Sequence, residues 1–425
     1  MMAERLIVRA APQEFVCREG SWNDLEEHLR RRGIERVLVV RGVKSWAAAG
    51  RYWPQLDGTE IHYHVYGGEC TYGERDAIAG YAVEHQLQAI IAVGGGKITD
   101  VVKSAAAKLN LPAVILPTLA ATCAAWSSLS VMYDSQGAYV RFDVFPRSNA
   151  LVLLDPAVIA ASPPELLAAG IGDTLAKWYE ADAIIRHLPA PPVEVELAWF
   201  TARKCRDHLL EYSAAALAAV SAGVLDDALT RTVETIIMVG GLVGGFGEDY
   251  GRTAGAHSVH DALTAIPEAH SLLHGSKVAY GVLVQLALEE NFAEIEELLP
   301  FYRQIGLPAS LADMGLDFLT PGDLLELGER AAVPEASIHR MHGVITAARI
   351  ADAAAELERF VGSWRRDSAG GPGRALGTGE VAQTNDTAGA GYVDEAGWKV
   401  DTDDSYQRGQ TASGVRQQNI MVRGQ

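Results

Sequence analysis

Three short runs of consecutive apolar residues constrain the fold more than any other feature of this chain. Val37 to Val40, Ile90 to Val93 and Ala113 to Leu116 are uninterrupted by polar side chains, so each reads as a strand buried on both faces. Helix-compatible stretches lie between or before them, at Trp22 to Arg32, Arg75 to His85 and Ile98 to Leu109. Strands alternating with helices predict a parallel sheet with helices on its faces. Leu151 to Leu154 closes this part, giving an α/β domain over residues 1–160.

The pattern then changes. Ser162-Pro163-Pro164-Glu165 reads as a capping box with prolines in the first helical turn. Ala- and Leu-rich stretches follow to about Trp364, with helices expected at Asn291 to Arg303, Thr320 to Ala332 and Val344 to Val361. This predicts an all-helical domain over 161–364. From Arg365 the chain is rich in Gly, Ser, Thr, Asp and Gln. Such a composition buries too little surface to offset ordering entropy, so 365–425 is expected to be a disordered tail. A length of 425 residues fits two such domains.

Composition narrows the partners. A net charge of −18 repels phosphate backbones and argues against nucleic acid. No run of about 18 apolar residues suggests a membrane span, and the first residues lack the apolar stretch of a signal peptide. Cys17, Cys70, Cys123 and Cys205 lie far apart with no C-x-x-C spacing, which argues against a disulfide framework and for a reducing cytoplasm.

The strand Ile90 to Val93 runs into Gly94-Gly95-Gly96-Lys97 and at once into a helix. Glycines let the backbone approach a pyrophosphate, and the helix N-terminus offers free N–H groups. Lys97 is a candidate for phosphate contact or a solvated surface residue. Asp100, one turn on, either organises the loop or faces a nicotinamide ribose. Further along, Asp173 lies in an apolar helical stretch beside Gly170 and Gly172, where a lone buried carboxylate is costly unless paired or metal-bound. His257 and His260 share a helix face by their spacing, and His274 follows a loop. One carboxylate with two or three imidazoles suits zinc or ferrous iron.

Gly94-Gly95-Gly96-Lys97, Leu116-Pro117-Thr118, Gly170-Ile171-Gly172-Asp173, Ala256-His257-Ser258-Val259-His260 and His274-Gly275-Ser276-Lys277 occur in that order. Together they resemble the glycerol dehydrogenase-like branch of the iron-containing alcohol dehydrogenase superfamily, over roughly residues 5–360. The resemblance implies a Rossmann-like N-terminal domain and a helical C-terminal domain, with the site between them. It implies metal ligands at Asp173, His257 and His274, with His260 beside the metal. It places cofactor contacts on Gly94, Gly95, Gly96, Lys97, Thr118, Thr122, Ser127, Leu129 and Tyr133. The implied reaction is hydride transfer between NAD(P)H and a carbonyl polarised by one divalent metal ion, zinc favoured and iron possible.

Cys123 stands where glycerol dehydrogenases of this branch carry an aspartate that contacts the polyol. The stretches Pro117 to Trp126 and Ala169 to Ala181 resemble the bacterial hydroxycarboxylate dehydrogenases, which implies reduction of 2-oxo acids such as 2-oxobutyrate and 2-oxoglutarate. Lys177, one turn after Asp173, shares its helix face. It either binds a substrate carboxylate or pairs with Glu180 or another carboxylate as a support. The strand ending at Val40 is followed by Arg41 and Lys44 and by no acid, which predicts NADPH, since enzymes selecting NAD place an acid there for the ribose 2′-hydroxyl. Competing readings are a glycerol, polyol or aminocyclitol dehydrogenase, a sugar-phosphate cyclase on the same fold, and a non-catalytic binding protein. A small-molecule substrate and a homo-oligomer complete the expectations.

Overall fold

A computed structural model describes residues 6–370. Six parallel strands form one sheet: β1 (Phe15–Cys17), β2 (Arg36–Arg41), β3 (Glu60–Val65), β4 (Ala89–Gly94), β5 (Ala113–Pro117) and, after an antiparallel hairpin of β6 (Leu129–Tyr133) and β7 (Tyr139–Val144), β8 (Leu151–Leu154). Their order is β1-β8-β5-β4-β2-β3. The apolar runs are the four inner strands, and their alternate residues enter two different cores. Val37, Val39, Ile91, Val93, Val114 and Leu116 pack on one face with Trp22, Leu25 and Leu29. Leu38, Val40, Ile90, Ala92, Ile115 and Val152 pack on the other, in a cluster continuous with the helical part. Burial on both faces is why these strands carry no polar alternation.

The strands missed by the apolar-run criterion are those with incomplete cover. β3 is an edge strand of mixed polarity, Glu-Ile-His-Tyr-His-Val, and β1 is an edge of three residues. The hairpin is half exposed.

After Leu154 the described chain is helical. Long helices at Pro164–Ile185, Val193–Ala222, His274–Leu288 and Ala347–Gly370 pack with shorter ones at Gly255–Leu263, Phe292–Ile305 and Pro321–Ala331. The expected capping box at Ser162 does not form. Pro163 is the N-cap, at φ −58 and ψ 132, and no side chain caps the helix; the Ser162 hydroxyl is buried without a partner. A residue preceding proline is pushed out of the helical region, so Pro164 delays the helix start by one residue and takes Ser162 out of register. The last helix continues to Gly370, where Arg365 hydrogen-bonds Ser310 and pairs with Asp313 at 2.5 Å. Residues 365–370 are therefore helical rather than tail; 371–425 lie outside the described residues. Asp227–Tyr250 is long and apolar enough to cross a membrane, and 56% of its apolar window is buried. All four cysteines are free.

Asp100 is not exposed. It is buried, its Oδ2 accepts the Val131 N–H at 3.1 Å, and the Lys103 ammonium lies 2.8 Å from Oδ1. Lys103 also donates to the carbonyls of Ala124 and Ser127, at 2.8 and 3.2 Å, and to that of Leu129. The helix turns the Asp100 carboxylate inward against the hairpin. Lys103→Met is expected to lower stability by roughly 3–5 kcal/mol, the usual result of leaving a buried charge unpaired. Urea unfolding of both proteins measures it.

Candidate active site

The carboxyl ends of β2, β4 and β5 lie side by side, with Arg41 in register with Val93 and Gly94 with Pro117. The chain runs outward from β2 to β3 and then in the other direction from β4 to β5, so the crevice between β2 and β4 is the topological switch point, where open α/β sheets bind ligands. β4 passes through Gly94 and Gly95 into the helix Gly96–Leu109. A Cβ on Gly94 would lie 2.4 Å from Ile98, and one on Gly95 3.2 Å from Leu119, so a side chain at either position would crowd the turn. Thr118 closes the turn by donating its N–H to the Gly94 carbonyl at 3.2 Å. Thr122 faces Gly96 across the loop. Lys97 is exposed, 2.6 Å from Glu69 and over the Tyr133 ring at 5.0 Å.

Arg41 ends β2 and stacks on Trp46 at 4.6 Å, with Tyr63 at 5.6 Å; Lys44 is exposed on the next helix. Leu129 and Tyr133 bound β6, and the Ser127 carbonyl and hydroxyl accept from Lys103.

On the helical side, glycines let three helices touch backbone to backbone. A Cβ on Gly275 would lie 1.8 Å from the Ala169 carbonyl oxygen, one on Gly172 2.7 Å from the Gly275 carbonyl oxygen, and one on Gly281 2.3 Å from that of Ala256. Each crossing adjoins a candidate ligand in sequence: Asp173 follows Gly172, His274 precedes Gly275, and His257 follows Ala256. Gly170 makes a fourth contact, 2.0 Å from a Cβ to the Ala120 carbonyl oxygen, which holds the Asp173 helix against the loop after β5.

The result is a cluster of three ligand atoms, one each from Asp173, His257 and His274, all within 4.8 Å of one another. His257 Nε2 and His274 Nε2 stand 3.3 and 3.2 Å from Asp173 Oδ1. The far sides of both rings are tied. His257 Nδ1 meets Glu180 Oε2 at 2.7 Å. His274 Nδ1 meets His260 Nε2 at 2.8 Å, and His260 Nδ1 meets Asp261 Oδ1 at 2.9 Å. Carboxylates accept only, so His257 donates from Nδ1 and so does His260, which leaves His260 Nε2 to accept from His274 Nδ1. Both Nε2 lone pairs then face a carboxylate oxygen, an arrangement that a cation resolves, and a three-ligand set of this type holds a divalent metal. Burial opposes a proton on His257, yet the charge of Glu180 and hydrogen bonds to Asp173 and Glu180 push its pKa up to about 9, so the field favours positive charge at this point. Burial, with the charge of His274, pushes His260 down to about 4 despite Asp261, which keeps it neutral. His274 is the open side of the cluster, 43% exposed.

Glu180 is the residue that the motif reading left unassigned to the metal. It also accepts the N–H groups of Ala254 and His257, at 2.6 and 2.9 Å. Its signal was its position seven residues after Asp173, on the same helix face. Lys177 does not pair with Glu180. Its ammonium is buried and donates to the Arg252 carbonyl at 2.8 Å, its single hydrogen bond among the described residues. Burial pushes the nearby Cys123 thiol up, against the pull of the Lys177 ammonium and with the Asp173 carboxylate, so the thiol stays neutral.

Comparisons with known proteins match this architecture. A model of the iron-containing alcohol dehydrogenase family matches residues 12–156. Hydroxycarboxylate dehydrogenase A of Escherichia coli is 34% identical over 83% of the chain and 98% of the relative. The chain belongs to the iron-containing alcohol dehydrogenase family. A glycerol dehydrogenase of Pseudomonas putida is 40% identical over 69% of this chain and 80% of its own. The crystal structure of a probable glycerol dehydrogenase from Sinorhizobium meliloti superposes with a TM-score of 0.75 at 33% identity, covering 83% of this chain and 98% of that one. As a member, the protein is an oxidoreductase acting on CH–OH groups with a nicotinamide dinucleotide and a divalent metal ion. Glu180→Gln is expected to weaken zinc binding about 10- to 100-fold without unfolding the chain, as loss of an orienting partner does at other metal sites. Competition with a metal chelator, followed by elemental analysis, reads the change. Binding is also expected to weaken as pH falls, since the ligands must shed their protons.

Proposed function

We propose that this chain interconverts small 2-oxo and 2-hydroxy acids, using NADPH in the reductive direction. The observation that carries the proposal is the pair beside the cluster: a neutral thiol at Cys123 and a buried ammonium at Lys177 with donors to spare. A carboxylate at position 123 would repel an acidic substrate; a thiol does not, and a lysine with one hydrogen bond made retains two protons to donate. The similarity to hydroxycarboxylate dehydrogenase A supports the same substrate class.

In this reading, residues 1–160 supply the dinucleotide half and 161–364 the metal half. Asp173, His257 and His274 hold the ion. A bound divalent ion supplies Lewis acidity at the substrate carbonyl oxygen. The loop Gly94 to Lys97 takes the pyrophosphate on the N–H groups of its helix. Thr118, Thr122, Ser127, Leu129 and Tyr133 line the rest of the dinucleotide, and Arg41 and Lys44 meet the 2′-phosphate. Lys177 orients the substrate carboxylate, with Cys123 against the substrate. His260 links His274 to Asp261, which is 78% exposed, and so offers a hydrogen-bonded path between the cluster and solvent for the proton that the product hydroxyl requires.

Initial rates with 2-oxobutyrate, 2-oxoglutarate and dihydroxyacetone, each with NADPH and NADH, test the assignment. Turnover of the oxo acids with NADPH is expected; turnover of dihydroxyacetone alone would return the protein to the polyol class. Lys177→Ala is expected to lower kcat/KM for the oxo acids about 10- to 100-fold, the worth of one charge-assisted hydrogen bond, with metal content intact. Arg41→Ala is expected to raise KM for NADPH and leave that for NADH unchanged; equal effects on both would remove Arg41 from the 2′-phosphate.

A further inference from the structure

Arg41 ends β2 at the crevice between β2 and β4, in register with Val65 on one side and Val93 on the other, and its carbonyl accepts the Tyr66 N–H at 3.0 Å. Its backbone is fixed by the sheet, and its side chain is fixed without a counter-charge. Among the described residues no side-chain hydrogen bond or ion pair involves Arg41, and its Nε is buried without a partner. Arg186, Arg206 and Arg252, by contrast, reach carboxylates at 2.9, 2.8 and 2.6 Å. What holds the Arg41 guanidinium is aromatic. Its central carbon stands 4.6 Å from the centre of the Trp46 ring and 5.6 Å from that of Tyr63, both within reach of cation–π attraction. The indole is itself seated: it packs on the core around Trp22, Leu25 and Leu29, with Trp53 at 5.5 Å and Tyr63 at 5.9 Å.

The two ways of fixing an arginine differ in what they leave behind. A carboxylate cancels the charge and occupies the N–H edges. A ring covers one face of the guanidinium, leaves the positive charge whole, and leaves the in-plane donors free. A planar fork in that state suits a phosphate, which it meets with two parallel hydrogen bonds. Resting on the reading that Arg41 meets a ribose 2′-phosphate, we propose that Trp46, with Tyr63 at the rim, is a specificity-determining positioning residue for the dinucleotide. It holds Arg41 flat at the end of β2 with its charge uncancelled, and so makes the crevice prefer NADPH to NADH. A side chain already ordered by stacking loses little further freedom when the phosphate arrives, so more of the interaction appears as affinity. Lys44 is exposed on the helix Val43–Ala49, and a point charge on a flexible stem does not match that geometry. The device contains no element that repels NADH; its neutral 2′-hydroxyl gains little from the waiting cation. Losing the indole therefore removes discrimination and spares dinucleotide binding.

The test is binding, not turnover: dissociation constants of NADPH and NADH for the zinc-loaded full chain without substrate, read from the anisotropy of cofactor fluorescence. Arg41→Ala is expected to weaken NADPH about 10- to 100-fold and leave NADH unchanged. Trp46→Leu is expected to weaken NADPH about three- to tenfold, again without effect on NADH, since it costs Arg41 its stacking and its order. Trp46→Phe, which keeps a ring under the guanidinium, is expected to retain most of the preference. In the double variant Arg41→Ala/Trp46→Leu, loss of the indole is expected to add nothing to the loss of the arginine, because Trp46 acts only through Arg41. Tyr63→Leu, at an exposed strand position, repeats the measurement should Trp46→Leu not fold, with a smaller loss confined to NADPH. Equal weakening of both cofactors by Trp46→Leu, or additive losses in the double variant, overturns the proposal and leaves Arg41 at the 2′-phosphate. An Arg41→Ala protein that binds both cofactors as the wild type does overturns the 2′-phosphate reading itself, and this proposal with it.

Discussion

Three helices meet at the metal cluster with no side chain between their backbones. Gly172, Gly275 and Gly281 each face a carbonyl oxygen at a distance that no Cβ could share. Because Asp173, His257 and His274 are chain neighbours of these crossings, the crossings fix where the ligands start, and short side chains do the rest. Gly170 extends the same device to the loop after β5, so the metal cluster and the dinucleotide crevice are registered by backbone contact rather than by long side chains. Dense packing makes such contacts stiff, which is what a site with sub-ångström demands needs.

Around that frame the charges are arranged from outside inward. Glu180 and the His260–Asp261 pair fix the imidazole tautomers, and the tautomers aim two lone pairs at Asp173. Lys177 offsets part of the buried negative charge of Asp173 and Glu180 and is itself held cationic by Asp173 against burial. The dinucleotide side uses a different buried pair, Asp100 with Lys103, to bind the loop at 124–129 and the hairpin to the helix that follows the glycine turn.

Much of this was legible in the chain itself. The apolar runs gave the inner strands because burial on both faces leaves a contiguous signature. The order of glycine, histidine and aspartate motifs gave the candidate ligands, which the fold gathers within 4.8 Å. Edge strands such as β3 escaped because half their side chains meet water and their sequence is mixed. The cap at Ser162 was misread because two adjacent prolines shift the helix start, a local steric effect that a motif pattern does not encode.

The sequence by itself determined the α/β-then-helical architecture, the family and the ligand types, since each depends on residue identity and local periodicity. Tertiary structure alone decided what the polar groups do with one another. It turned Asp100 inward to Lys103, gave Glu180 to His257 instead of Lys177, and left Lys177 on a backbone carbonyl. Those outcomes depend on which helices cross and where, and crossings are set by contacts between residues a hundred positions apart, such as His274 with Asp173.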